Sequence, residues 1–158
     1  MCGIVGFLDK RPGSKHDTLG LTLLKMLEAL ACRGPDSAGV ALFGPSANGS
    51  FVVRVKLGDR GNLDERAHKL ASSLKSFGVE ERQLSRVSAY ARFVVDSRIQ
   101  LSELIDSIEG LDPEIEVVSV GRSLEIVKQV GSPANLETTF AISRQGGSHG
   151  LGHTRLST

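Results

Sequence analysis

The chain opens straight into a core element. Residues Gly3 to Leu8 (GIVGFL) are apolar, glycine-punctuated and too few for a helix, so they read as a buried strand that begins at the very end of the polypeptide. Helices and strands then alternate. Asp17 stands as a helix N-cap, and Leu19, Leu23, Leu24, Met26, Leu27 and Leu30 recur at helical spacing up to a stop near Cys32, where Gly34 and Pro35 follow. Residues 40–43 and 51–55 read as the two strands of a hairpin around a Gly/Pro/Ser/Asn loop. A second helix is expected over 62–77, then a strand at 88–95, a helix at 101–108 and a strand at 115–120. This last β-α-β passage suggests a small excursion on the main domain. A short apolar segment at 124–130, a helix after Pro133 and a glycine-rich stretch at 146–152 complete the chain.

Composition narrows the function classes. At 158 residues the chain has the size of one domain, and 40% hydrophobic with 23% charged residues is the balance of a soluble globular protein. A net charge of +1 makes no electrostatic case for nucleic acid or a membrane surface. Aromatic residues are 4% with no Trp, which argues against base-stacking platforms. No segment approaches the length of a membrane span, and Asp9, Lys10 and Arg11 interrupt what would be the apolar core of a signal peptide. Two cysteines in that context indicate a reducing, cytoplasmic setting, with Cys32 as a buried spectator.

Cys2 is the residue with the most chemistry. Once Met1 is removed, a step that a small following residue favours, Cys2 carries a thiol and a free α-amine on one carbon. An α-amine with a pKa of about 8 can take up the thiol proton near neutral pH, so nucleophile and base sit in one residue. The same cysteine can also be read as a small hydrophobe at the start of a strand. Two other segments bear on the choice. Arg33-Gly34-Pro35-Asp36-Ser37-Ala38-Gly39 is a charged turn leading into a strand, in which Arg33 and Asp36 serve most simply as an ion pair. In Gly152-His153-Thr154-Arg155-Leu156-Ser157-Thr158, an arginine flanked by hydroxyls can clamp a carboxylate through its planar fork. His149 and His153 are spaced as zinc ligands on a helix would be, but the surrounding glycines oppose a helix there.

CGIVGF, RGPDSAG and GHTRLST, in that order and with cysteine at position 2, resemble the glutaminase domain of class II glutamine amidotransferases. These N-terminal-nucleophile enzymes include amidophosphoribosyltransferase, glucosamine-6-phosphate synthase, asparagine synthetase and glutamate synthase, and the likeness is greatest to the glutamate-synthase-like branch. The resemblance implies an α/β N-terminal-nucleophile sandwich of two packed β-sheets flanked by helices, incomplete at its C-terminal end. Residues 1–158 would be the front part of a single such domain, with the β-α-β excursion at about 86–121.

The implied activity is hydrolysis of the glutamine side-chain amide to glutamate, with ammonia passed to a synthase domain or subunit and with no cofactor or metal. Cys2 matches the nucleophile, Arg155 the arginine that holds the glutamine α-carboxylate, and Thr158 a hydroxyl lining that pocket. Leu156 stands where some relatives carry an aromatic residue. Cys32 stands where relatives often carry His or Tyr, a difference expected to be structural. The family's oxyanion-hole Asn-Gly pair and the acidic residue for the α-amine come after this motif, so they are expected beyond Thr158. Loss of one oxyanion donor costs about a hundred- to a thousandfold in turnover, so residues 1–158 alone are expected to be nearly inactive. Two alternatives remain: a non-catalytic binding or regulatory subunit on the same fold, and an amidohydrolase of another amide. Arg155 argues against the second.

Overall fold

The computed structural model describes residues 2–10, 18–46 and 49–156. The chain divides into two compact units, one made of Met1–Pro45 with Ser123–Thr158 and the other of Ser46–Arg122. The β-α-β passage read at 86–121 is the latter part of the second unit.

Unit one contains β1 (Gly3–Leu8), α1 (Leu19–Leu30), β2 (Ser37–Phe43), β7 (Leu124–Val130), α4 (Pro133–Phe140) and β8 (His149–Arg155). Its four strands form one antiparallel sheet in the order β1-β8-β2-β7. One face is packed. The buried stripe of α1, Leu19, Leu23, Leu24 and Leu27, meets Ala38, Val40 and Leu42 of β2, with Val127 of β7 and Leu136 of α4 in the same core. The Asp17 cap position lies outside the described residues, and Thr18 occupies the N-cap without a side-chain hydrogen bond.

Strand β8 is the element least visible in the sequence, because its glycines speak against a strand. They are there for space. A Cβ on Gly150 would come 2.8 Å from Leu23 Cδ1, and one on Gly152 would come 2.9 Å from Leu27 Cγ and Cδ2. Helix α1 therefore lies directly on the backbone of β8, a close approach that only glycine permits. His149 and His153 sit on this strand and not on a helix.

The opposite face of the sheet is open, which corrects the reading of β1 as a wholly buried strand. Ile4 is 74% exposed, Leu151 55% and Val130 75%. Cys32 is likewise exposed, in a short 3-10 turn at Ala31–Arg33 just past α1.

Unit two contains β3 (Ser50–Lys56), α2 (Leu63–Leu74), β4 (Ser85–Val87), β5 (Tyr90–Asp96), α3 (Leu101–Glu109) and β6 (Glu116–Gly121). Its antiparallel sheet runs β4-β5-β3-β6, which with the βαββαβ chain order is a split-βαβ, ferredoxin-like arrangement. The expected hairpin between residues 40–43 and 51–55 is therefore wrong. β2 pairs with β7 and β8 while β3 pairs with β5 and β6, so the two belong to different sheets. The strand expected from Ser88 begins at Tyr90. Ser88, with φ at 54°, lies instead in the tight turn joining β4 to β5.

Helix α2 is capped by Asn62, whose side-chain oxygen accepts the Glu65 amide at 3.1 Å. Val53, Val55, Phe93 and Val95 pack under Leu70, Leu74, Leu104 and Ile108 to make this unit's core. Arg66 closes it at one end, donating to the Leu57 carbonyl at 3.1 Å and pairing with Asp112 at 3.0 Å. The Glu114 amide and Arg66 together hold the Asp112 carboxyl below its usual range. No helix among the described residues is long and apolar enough to cross a membrane.

Candidate functional site

Strand periodicity decides which side chains share a face. Along β8, Gly150, Gly152 and Thr154 are buried toward α1, so His149, Leu151, His153 and Arg155 lie on the open face. By the same alternation Ile4 of β1, Ser37, Gly39 and Ala41 of β2, and Ile126 and Lys128 of β7 share it. The register aligns these residues in rows. Ile4, His153, Gly39 and Lys128 form one, and Arg155 and Ser37 belong to the next.

Cys2 immediately precedes β1, next to this second row. Gly3 pairs with Thr154, so the next step of the same register sets Cys2 level with Arg155. The Cys2 thiol is free and exposed. On the other side of β8, Ser37 is the direct partner of Arg155. The turn at 33–36 then closes round the end of β8: Pro35 bridges Arg155, and the Asp36 amide donates to the Arg155 carbonyl at 3.1 Å. Three segments that span nearly the whole sequence thus converge on one end of one sheet.

A groove of about 420 Å³ runs along the open face from this end. Gly39 and Ala41, small residues on a central strand, lie at its middle, between Ile4 and Leu151 on one side and Ile126 and Lys128 on the other. Its cationic side chains are Lys128 and Arg155, with His153 beside them, and no carboxylate lines it among the described residues. At the far end of the face His149 is stacked on Phe43 at 4.1 Å and shares a hydrogen bond with the Ser148 hydroxyl at 2.9 Å, so its ring is engaged in packing.

Of the residues singled out from sequence, Cys2 and Arg155 adjoin the paired Gly3 and Thr154, and Thr158 lies outside the described residues. Leu156 is partly exposed just past the strand. Ser37 and Ile4 enter the sequence reading only as members of their motifs and Lys128 only within the 124–130 segment, although the period of two along β1, β2 and β7 would place them on the face of Arg155 once β8 is known to be a strand.

No family model matches the chain. Across its whole length it is 32% identical to the glutamine amidotransferase-like protein GlxB of Rhizobium meliloti. It is also 31% identical to a protein of Methanothermobacter thermautotrophicus whose name likewise refers to a glutamine amidotransferase. The chain spans about half the length of these curated relatives, 50% of one and 52% of the other. The similarity is homology to glutamine amidotransferase-like proteins at modest identity.

Proposed function

We propose that the chain carries the nucleophile-bearing part of a class II glutaminase, of the glutamate-synthase-like branch, that hydrolyses glutamine and supplies ammonia to a synthase domain or subunit in the cytoplasm. The observation that supports this reading is the register that pairs Gly3 with Thr154, the residues adjoining Cys2 and Arg155. In the reaction, the Cys2 α-amine takes the thiol proton and the sulfur attacks the side-chain amide carbon of glutamine. The C–N bond breaks, the amine returns the proton to the leaving nitrogen, and ammonia departs. Water then opens the thioester to give glutamate and regenerate the thiol. Arg155 holds the α-carboxylate through two parallel donors, and the Thr158 hydroxyl completes that side of the pocket. The same reading supplies the sandwich fold, with a second β-layer on the open face of unit one. The exposed Ile4, Leu151 and Val130 support this, because an antiparallel sheet that faces water carries polar residues outward.

The test is made on full-length protein. Intact mass shows loss of Met1, Cys2→Ala abolishes ammonia release from glutamine, and a diazo-ketone analogue of glutamine adds to Cys2 and not to Cys32. Retention of Met1 in active protein rules out the amine as base. It favours the alternative, a binding or regulatory subunit on the same fold.

A further inference from the structure

The RGPDS turn is left without a task by the chemistry above, and its contacts give it one. Gly34 has a negative φ of −157°, so it is not the left-handed region that calls for glycine there. It is required for room. A Cβ at Gly34 would stand 2.6 Å from the Thr154 carbonyl carbon, 2.8 Å from its oxygen and 2.7 Å from the Arg155 nitrogen. The peptide that carries Arg155 therefore lies flat against Gly34, and these neighbours are backbone atoms that cannot rotate away.

The next two residues extend the contact. Pro35 bridges Arg155, and the Asp36 amide donates to the Arg155 carbonyl at 3.1 Å. The turn is braced from behind by the Gly131 amide, which donates to the Asp36 carbonyl at 2.7 Å. On the opposite side Thr154, wholly buried, presses its hydroxyl against Gly3, the residue next to Cys2.

We propose that the turn at 34–36 is a positioning element for substrate recognition: it fixes the backbone of Arg155, and so the distance between the guanidinium and the Cys2 end of the sheet. This rests on the glutaminase reading. A side chain at position 34 displaces the Thr154–Arg155 peptide, and a bidentate contact to a carboxylate tolerates such displacement poorly. The thiol, on the residue that precedes β1, keeps its own chemistry.

The experiment compares glutamine with glutaminamide, whose α-carboxylate is replaced by a neutral amide, in the full-length protein. Gly34→Ala is expected to lower the ratio of kcat/KM for glutamine to that for glutaminamide at least tenfold, through KM for glutamine. Turnover of glutaminamide and the rate of Cys2 alkylation by iodoacetamide should change less than twofold. Gly44→Ala, whose new methyl meets only ordinary contacts at 3.8 and 3.9 Å, is expected to leave the ratio unchanged.

If Gly34→Ala does not fold, Gly131→Ala decides. Alanine at a φ of 95° loosens the brace on Asp36, and about a threefold fall in the ratio is expected. An unchanged ratio in the deciding variant, an equal loss for both substrates, or the same fall in Gly44→Ala overturns the proposal. Inactivity of the unaltered protein toward glutamine overturns the glutaminase reading itself, so the two failures are distinct.

Discussion

Replacing Gly152 by alanine tests whether α1 truly rests on the backbone of β8. The added methyl would come 2.8 Å from Val5 Cγ2 and 2.9 Å from Leu27 Cγ and Cδ2, where ordinary contact begins near 3.4 Å. Helix and strand must part by roughly half an ångström or more. A gap of that size along a packed interface forfeits about a quarter or more of each contact's dispersion energy. Overpacking of this kind costs about 1–3 kcal/mol, against which alanine gains about 0.4–1 kcal/mol by stiffening the unfolded chain. The net loss lies between about 0 and about 2.6 kcal/mol, centred on about 1.3, or a fall centred on about 3–5 °C in Tm for a chain of this size. Gly44→Ala receives the entropic gain without the clash and is expected to be neutral or to melt slightly higher. Scanning calorimetry, with hydrogen exchange of the β8 amides to assign the transition to unit one, measures both. A Gly152→Ala protein that melts at or above the unaltered one would refute the close packing of α1 on β8.

Arg155→Lys keeps the charge but loses the planar fork, and a charged hydrogen bond of about 1.5–3 kcal/mol translates into a tenfold to hundredfold fall in kcat/KM for glutamine. The fall should come mainly from KM in steady-state ammonia assays, and an unchanged KM would show Arg155 to be structural. Glu137 gives a pH dependence to unit one. The Ser143 hydroxyl at 2.6 Å and amide at 2.8 Å hold its carboxyl below the usual range. A depressed folded pKa stabilises above the unfolded value of about 4.3 and ceases to do so as pH falls through the folded one. Melting temperature should therefore drop on acidification below about pH 4.3, and more steeply than in Glu137→Gln; parallel profiles would refute the link.

Much of the fold was legible because most elements announce themselves locally. The period of α1 and the apolar run of β1 each place an element within a residue or two of its bounds, and the helix expected over 62–77 starts one residue before α2 and ends three beyond it. What the sequence concealed is non-local. Adjacent short apolar runs at 40–43 and 51–55 satisfy every local rule for a hairpin, yet their partners lie tens of residues away in two different sheets. The glycines of β8 read as a loop until the helix that needs their space is in view. At the site, Cys2 and Arg155 were singled out by their chemistry. Ser37, Lys128 and the backbone contacts of Gly34 depend on register, which no local pattern records.

The points at which unit two leaves and rejoins unit one bear on the order of assembly. On one side of the junction Phe43 faces Leu124, and the Gly44 amide donates to the Ser123 carbonyl at 2.9 Å. On the other, Val52 of β3 faces Gly121 of β6. The unit is thus strung between two pairs of neighbouring strands, and its own ends are held together by its own sheet. In an unstructured chain, pairing β2 with β7 means closing a loop that contains all of Ser46–Arg122, with the entropy loss that so long a loop carries. Once β3 has paired with β6 that loss has already been met, and β2 and β7 are left to zip together as an ordinary hairpin would. A chain that folds its inserted unit first converts one long-range pairing in its other sheet, that of β2 with β7, into a local one.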